Sequence, residues 1–393
     1  MFRRRKFTRG GSPVTDSDNH TALTLGGGGA RGAYQAGVLR GIARLFPEAK
    51  FSILTGISAG AVNTVHLASH RGTFTDSASA LVDLWLSLSP DQVYDVDALP
   101  LVRNVLRWGM RLASGGHRPA REPMRGMVDT TPLRTFLTKA LQTAADGSLP
   151  GIAENLARRR LKAVALTGTS YTTGQAVTWI EGRDVELWQR PQRRSEATRL
   201  TPQHVMASSA LPVLFPAVQV GSEWYGDGGV RLTAPLSPAL HLGAHRILTV
   251  STRYRRTRAE ADQPLTAGYP PPAQVLSVLY NAVFLDLIDE DIMRLEKVNS
   301  LLSAVPQSER NGMRVVEMLV LRPSRDLGKL ASEFEVQLPR FFRYLTRGLG
   351  TQQTRSPDIL SLVLFQRNFL ERLVELGETD ANARAEEIGQ FLS

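Results

Sequence analysis

The chain of 393 residues contains no cysteine, which excludes disulfide bonds and metal sites built from thiolates. It also lacks an uninterrupted apolar run of the roughly 20 residues that a membrane-spanning helix needs. No apolar segment follows the basic residues at the start of the chain, so a secretory signal is not predicted. These absences favour a cytoplasmic protein in a reducing compartment.

Acidic residues are missing from the first ten positions, whereas five basic side chains are present there: Arg3, Arg4, Arg5, Lys6 and Arg9. The formal net charge of the chain is +10, so the remainder is only mildly basic. Residues 1–20 are interpreted as a disordered arm, either a solvated tail or a peripheral contact with the anionic inner face of the membrane. Nucleic acid is another partner that such an arm can attract, but none is expected.

A run of glycines, Gly26 to Gly29, separates two apolar segments. Residues 21–25 are predicted to form a buried strand, and residues 33–46 repeat apolar side chains at helical spacing. Glycines leave their backbone N–H groups uncovered, and the start of a helix favours negative charge. The loop is therefore interpreted as an anion site, for either a cofactor phosphate or a reaction oxyanion.

The segment Gly27–Gly32 fits the G-x-G-x-x-G pattern of dinucleotide-binding loops. That interpretation requires an acidic residue at the end of the second strand, where it would bind the ribose. The second predicted strand, residues 51–55, ends without an acid and leads to a serine. A dinucleotide site is therefore disfavoured and no cofactor is expected. No cluster of His and Asp has metal-ligand spacing, so no metal is expected either.

The pentapeptide Gly56-Ile57-Ser58-Ala59-Gly60 has the G-x-S-x-G form, in which a serine occupies a sharp turn between a strand and a helix. Gly56 and Gly60 allow the turn to tighten, and the Ser58 hydroxyl then points outward at the start of the helix. The alternative is an ordinary strand-to-helix turn. The neighbouring anion loop favours a nucleophile.

A serine nucleophile needs a base, and the usual base is a histidine oriented by a carboxylate. Among the seven histidines, His241 and His245 are the best candidates, but neither lies in a turn framed by glycines. Asp227 does, in Gly226-Asp227-Gly228-Gly229, directly after a predicted hairpin at residues 218–225. Its carboxylate belongs either to a plain Asp-Gly turn or to a base that accepts the serine proton directly.

Two strand–loop–helix units within residues 21–69 predict an α/β fold with parallel strands. Further strands are predicted at residues 161–167, 176–180, 245–251 and 314–321, and a helical insertion at about residues 78–160. Apolar side chains also share one face of a long helix predicted over residues 273–302: Leu279, Ala282, Leu285, Ile288, Ile292 and Leu295.

The glycine loop Gly27–Gly32, the serine turn Gly56–Gly60 and the segment Asp227–Gly229, in this order, resemble the motifs of the patatin-like phospholipase family. Residues 207–216 are also similar to the segment that precedes the aspartate in this family. The resemblance implies a three-layer α/β/α domain with a mostly parallel central sheet over residues 21–325. It further implies a helical C-terminal extension, residues 326–393, packed on that domain.

The resemblance implies a serine acyl-ester hydrolase, of phospholipase A or lysophospholipase type, with a lipid acyl ester as substrate. Ser58 is then the nucleophile and Asp227 the base of a two-residue dyad. The implied roles around the dyad are an oxyanion hole formed by the amides of Gly27, Gly28 and Gly29, loop orientation by Arg31 and Gly32, and close backbone packing at Gly56, Gly60, Gly228 and Gly229. The alternative is a non-catalytic nucleotide- or lipid-binding protein. The sequence indicates no oligomeric state.

Overall fold

The computed structural model of the chain describes residues 19–94, 128–264, 266, 268–284, 287–334 and 358–393. Most of the basic arm and the middle of the predicted helical insertion lie outside these ranges. The first strand begins at His20, within the range assigned to the arm. None of the helices in the described ranges is both long enough and apolar enough to cross a bilayer.

A mostly parallel sheet forms the centre of the molecule. Its described strands are β1 (His20–Leu25), β2 (Ile53–Gly56), β3 (Ala163–Ser170), β4 (Ala176–Gly182), β5 (Gln189–Arg190), β6 (Arg193–Ala197), β7 (Val218–Val220), β8 (Glu223–Asp227), β9 (Ala244–Val250) and β10 (Glu317–Leu321). They are ordered β10-β9-β1-β2-β3-β4-β6-β5, with β8 also paired to β3 and β7 to β8. The five neighbours from β10 to β3 run parallel, whereas β4 and β8 run antiparallel to β3.

Helices cover both faces of this sheet. The described helices are α1 (Gly32–Leu45), α2 (Ala59–Ser69), α3 (Phe74–Ser87), α4 (Pro90–Val93), α5 (Thr131–Ala140), α6 (Pro150–Ala157), α7 (Pro202–Ser208), α8 (Ser237–His241), α9 (Arg258–Ala261), α10 (Pro272–Phe284), α11 (Leu287–Ser303), α12 (Leu327–Ser332), α13 (Asp358–Val363), α14 (Arg367–Ala383) and α15 (Ala385–Leu392). Short 3₁₀ turns at Gly29–Arg31 and Gly228–Val230 lie at the ends of strands.

Side chains alternate between the two faces of the central strands, and each face packs against its own layer of helices. Leu23 and Leu54 belong to the apolar core on one side of the sheet, while Ala22 and Ile53 belong to the core on the other side, because successive side chains of a strand point to opposite faces. The first core contains side chains of α1, α3 and α14, and the second contains those of α8 and α11. The predicted three-layer α/β/α fold with a mostly parallel sheet is confirmed.

Helix α14, near the end of the chain, packs against α1 with almost no space between the two backbones. A Cβ added at Gly37 would lie 2.2 Å from the Val374 carbonyl oxygen, and one added at Gly377 would lie 2.3 Å from the carbonyl oxygen of Tyr34. The Tyr34 hydroxyl donates a hydrogen bond to Asp380 at 3.0 Å. Because larger side chains would separate these backbones, glycine determines how closely α1 and α14 approach each other.

The long helix predicted over residues 273–302 is described as two segments, α10 and α11, and residues 285 and 286, which include Leu285 of the predicted apolar face, lie outside the described ranges. Ile288 and Ile292, which belong to the predicted apolar face, are buried in α11. Leu279 of the same predicted face is 55% exposed in α10, whereas Gln274 and Ser277 of that helix are buried. The apolar spacing therefore identifies the buried face of α11 but not that of α10.

Candidate active site

The glycine loop and the serine turn leave the sheet side by side. Strands β1 and β2 are parallel neighbours, and their last residues, Leu25 and Gly56, are register partners. Both loops therefore emerge at the same edge, beyond the carboxyl ends of the strands, where ligands bind in open α/β sheets. The pairing of β1 with β2 therefore places Ser58 next to the glycine loop.

Ser58 occupies a strained backbone conformation between β2 and α2, with φ 56° and ψ −128°. The flanking glycines make this turn possible. A Cβ at Gly56 would lie 2.4 Å from the Gly60 carbonyl oxygen, and a Cβ at Gly60 would lie 2.1 Å from the Leu25 carbonyl oxygen. Such strain costs on the order of 1–3 kcal/mol and is concentrated at functional sites.

Two serines hold the backbone of Ser58 in place. The Ser58 amide donates to the Ser208 hydroxyl at 3.1 Å, and this hydroxyl donates to the Thr167 carbonyl oxygen at 2.7 Å. The Ser209 hydroxyl donates to the Ser58 carbonyl oxygen at 2.9 Å. Neither Ser208 nor Ser209 is predicted from the sequence as a site residue. The only signal was their place in the segment before Asp227 that resembles the family.

Asp227 is the last residue of β8 and is completely buried. Its backbone pairs with Gly168 of β3, and its Oδ1 accepts a hydrogen bond from the Gly229 amide at 2.9 Å. A Cβ at Gly228 would lie 2.1 Å from the Thr167 carbonyl oxygen. The glycines after the aspartate thus permit close backbone packing and, at Gly229, donate to the carboxyl.

Burial raises the pKa of Asp227 to about 7, while the nearby Ser58 hydroxyl and the Gly229 amide oppose this rise. Among the described residues, Oδ2 of Asp227 has no hydrogen-bond partner and Oδ1 accepts only from the Gly229 amide, so no hydrogen bond of regular length and angle joins Ser58 to this carboxyl. The two groups therefore interact without a formed short bond, as catalytic pairs often do before substrate binds.

The glycine loop lies against the serine. A Cβ at Gly27 would lie 3.1 Å from the Ser58 Cβ and 3.7 Å from its Oγ. Gly28 and Gly29 adopt φ values of 155° and 54°, conformations that favour glycine. In the part of the chain that the structure describes, the amides of Gly27, Gly28 and Gly29 donate no hydrogen bond. They are therefore available to an anion near Ser58.

Buried polar side chains hold this loop from behind. The Thr252 hydroxyl donates to the Gly27 carbonyl oxygen at 2.7 Å. The Gln35 amide donates to the Gly26 carbonyl oxygen at 3.0 Å and accepts from Asn63 at 2.9 Å. Because the N–H of a trans peptide points away from the C=O of the preceding residue, the amides of Gly27 and Gly28 point away from these two hydrogen bonds. Neither Thr252 nor Gln35 is predicted from the sequence.

Arg31 is buried behind the loop rather than beside Ser58. Its guanidinium forms an ion pair with Asp358 at 2.6 Å and donates to the Ser361 hydroxyl at 2.8 Å. Asp358 also accepts a hydrogen bond from Asn281 at 2.7 Å. Gly32 follows at the start of α1, where a Cβ would lie 2.4 Å from the Trp85 ring. Arg31 thus connects the loop to the C-terminal helices.

Two tyrosines that the sequence did not indicate flank Asp227. The pKa values of Tyr171 and Tyr280 are raised mainly by burial and further by the charge of Asp227, that of Tyr280 to about 12. The Tyr171 hydroxyl would lie 2.1 Å from a Cβ at Gly226, so glycine there permits the approach of this ring. Both phenols remain protonated at neutral pH.

The histidine candidates are far from the serine. His245 is the second residue of β9, whose last residue, Val250, pairs with Leu25. At ~3.3 Å per residue, His245 lies about 17 Å from the edge where the glycine loop begins. His241 stacks on the Trp188 ring with 4.5 Å between centroids. Neither position allows a triad with Ser58.

Two cavities need to be distinguished. A small one of about 30 Å³ is lined by residues of the glycine loop, the serine turn and the aspartate segment, including Gly27, Ile57 and Gly229. A cleft of about 1330 Å³ is lined by other residues, including His66 and Phe136. Neither cavity is lined by Ser58 or Asp227 themselves. We place the candidate site beside the small cavity, because Ile57 precedes Ser58 in the chain and the Gly229 amide donates to Asp227. No metal-binding group of three His, Asp or Glu is found within the described ranges.

A family model described as Patatin-like phospholipase matches residues 23–240. Similar solved structures include VipD from Legionella pneumophila, 13% identical, with 91% of this chain and 67% of that chain covered and a TM-score of 0.35. Human GIVD cytosolic phospholipase A2 is 12% identical over 96% of this chain and 60% of that chain, with a TM-score of 0.45. The chain thus spans three fifths of the length of the human protein. No curated protein sequence matches it significantly.

Proposed function

The chain belongs to the patatin-like phospholipase family, and from this premise we propose that it is a serine hydrolase that cleaves acyl esters of lipids. The proposal is supported by three neighbouring groups: a serine in a strained turn, a buried aspartate whose pKa the serine hydroxyl affects, and glycine amides that donate no hydrogen bond within the described ranges. These are the nucleophile, the base and the oxyanion donors that ester hydrolysis requires.

In the first half-reaction, Asp227 accepts the hydroxyl proton of Ser58 while the serine oxygen attacks the ester carbonyl carbon. The charge that develops on the carbonyl oxygen is stabilised by the amides of Gly27, Gly28 and Gly29. Each well-placed donor of this kind contributes on the order of 3–4 kcal/mol. The bond to the alcohol then breaks, the alcohol leaves with the proton from Asp227, and the acyl group remains on Ser58.

In the second half-reaction, a water molecule replaces the alcohol. Asp227 accepts a proton from the water, and the resulting hydroxide attacks the acyl-enzyme carbonyl. The tetrahedral intermediate again places its oxygen anion near the glycine amides. Its collapse releases the fatty acid, and Asp227 returns the proton to Ser58. A single carboxyl therefore serves both steps, and its pKa of about 7 suits both the uptake and the return of a proton at neutral pH.

The test is release of fatty acid from phospholipid and of p-nitrophenol from a short p-nitrophenyl ester. We expect Ser58→Ala to abolish both activities. Ser69→Ala is the matched control, because this serine lies on the same helix and its hydroxyl bonds only to helix carbonyls. Full activity in Ser58→Ala would show that Ser58 is not the nucleophile. Loss of activity in His241→Ala but not in Asp227→Asn would show that His241, and not Asp227, is the base.

A further inference from the structure

The outer face of α10 is apolar although it faces solvent. Val275, Val278 and Leu279, at positions i, i+3 and i+4, are 46%, 55% and 55% exposed. We call these three residues the α10 stripe. Gln274 and Ser277, on the other side of the helix, are buried. A helix on the surface of a water-soluble domain normally has the reverse arrangement, and exposed apolar patches mark sites of interaction.

Hydrogen bonds on the inner side fix this orientation. Asn281 donates to Asp358 at 2.7 Å, and the Tyr280 hydroxyl donates to the Pro212 carbonyl oxygen at 2.9 Å. The Ser277 hydroxyl accepts from the amide of Ile359 at 3.4 Å. Rotation of α10 to bury its stripe would break all three contacts and expose Asp358, the partner of Arg31. The apolar face is therefore held outward.

The stripe adjoins the candidate active site. Val283, one turn further along α10, lines the small cavity together with Gly27 and Gly229. Val213, which follows the Pro212 carbonyl contacted by α10, is 57% exposed and has a φ of 70°. A positive φ is a genuine outlier for a β-branched residue, and here it keeps another apolar side chain at the surface.

The charges nearby indicate which partner fits. Helix α10 contains no charged residue over its 13 positions. The segment before it, residues 253–258, carries four arginines, of which Arg255 and Arg258 are exposed. The segment begins directly after Thr252, which contacts the glycine loop. An uncharged apolar face beside the candidate active site, in a chain with an arginine-rich segment between that site and the face, complements the acyl chains and anionic head groups of a phospholipid surface.

We propose that the α10 stripe docks on a phospholipid bilayer and brings the mouth of the active site to the lipid. The choice of lipid as occupant rests on the proposed function, while the unusual orientation of the helix does not. Docking through the stripe would insert three apolar side chains into the interface, with Val213 beside them.

The test is co-sedimentation of the full chain with vesicles of phosphatidylcholine alone and of phosphatidylcholine mixed with phosphatidylglycerol. The variant combines Val278→Asp and Leu279→Asp. Because two apolar side chains at the bilayer interface are replaced by charged ones, we expect vesicle binding to weaken at least about tenfold. The control is Leu301→Asp on α11, because Leu301 is 70% exposed but lies on a different helix and outside the α10 stripe.

Activity measurements separate docking from chemistry. We expect the double variant to hydrolyse a soluble p-nitrophenyl ester at the wild-type rate and to release less fatty acid from vesicles. Wild-type vesicle binding by the double variant would overturn the proposal. A fall in the melting temperature of the double variant far larger than that caused by Leu301→Asp would show that the chain itself covers the stripe, and it would overturn the proposal. If the wild type binds vesicles through the α10 stripe but has no esterase activity, the proposed function is refuted and the docking proposal stands.

Discussion

Replacing Asp227 by asparagine should stop hydrolysis and, at the same time, make the protein more stable above neutral pH. The carboxyl is completely buried, and burial raises its pKa to about 7 because the charged form is poorly solvated there. Asparagine has nearly the same shape and keeps the oxygen that accepts from the Gly229 amide. It never acquires the buried charge.

The size of the effect follows from the two pKa values. The pKa of the carboxyl is 3.8 when water surrounds it, as in the unfolded chain, and about 7 in the folded chain, a difference worth on the order of 4 kcal/mol. Because the folded state keeps its proton to higher pH than the unfolded chain, this contribution to stability is fully present below pH 3.8. It is lost as the pH rises through 7. Between about pH 5 and pH 8 the free energy of unfolding of the wild type should fall by roughly 3 kcal/mol relative to the variant.

Denaturant unfolding at a series of pH values measures this difference. At each pH, the free energy of unfolding of the wild type must be compared with that of Asp227→Asn. The pH dependence of one protein alone also contains other groups, because burial lowers the pKa values of His66 and His204 to about 4. These two groups make the fold more stable as the pH rises from 4 to 6.5. Ser58→Ala is the matched control: it should be equally inactive but keep the carboxyl and the fall in stability. If the free energy of unfolding depends on pH in the same way for the wild type and Asp227→Asn, the claim that this carboxyl is buried with a raised pKa is refuted.

The remaining predictions concern the base, the loop and the helix crossing. With Asp227 as base, kcat/KM for a soluble ester should rise with pH through about 7, since only the carboxylate accepts the proton; a profile without that rise would contradict this role. Asp358→Asn should cost about 3–5 kcal/mol in denaturant unfolding, because it leaves the buried Arg31 charge without its partner; a loss below ~1 kcal/mol would count against this pairing. Gly37→Ala should cost on the order of 1–3 kcal/mol, since its Cβ would meet the backbone of α14; an unchanged melting temperature would show that the helices separate freely.

The sequence was sufficient to predict the central part of the fold. Residues 21–25 and 51–55 are short apolar runs, each followed by glycines and then by an amphipathic segment. This pattern predicts parallel strands whose carboxyl ends lie at one edge, and β1 and β2 are indeed neighbours. The pairing of these two strands, which the structure shows, places the glycine loop beside Ser58. The place of Asp227 came from the family resemblance, because β8 joins the sheet beside β3 across a long sequence separation.

The contacts that hold the site could not be predicted in the same way. Ser208 and Ser209 bond to the backbone of Ser58, about 150 positions earlier in the chain. Gln35 lies in α1, where neither its type nor its spacing distinguishes it from a surface residue, yet it is buried and bonds the glycine loop. Such roles depend on which distant backbone atoms remain unpaired, and a single sequence does not contain that information.

Helix α10 shows where periodicity misleads. The apolar spacing that includes Leu279 continues through Ile288 and Ile292, which indicates one helix with one buried face. In the structure the hydrogen bonds of Asn281 and Tyr280 determine the orientation of α10, and Leu279 faces outward. Apolar spacing predicts which side chains share a face, but the partners of the polar side chains decide whether that face is buried.

The central claim is that the serine of the strained turn is the nucleophile, and covalent labelling with a fluorophosphonate probe tests it most directly. After reaction of the full chain, the modified residue is identified by mass spectrometry of its peptides. We expect one adduct, on Ser58, that is absent in Ser58→Ala, present in Ser69→Ala and strongly slowed in Asp227→Asn. An adduct on a different serine, or esterase activity in a protein that forms no adduct on Ser58, would contradict the claim.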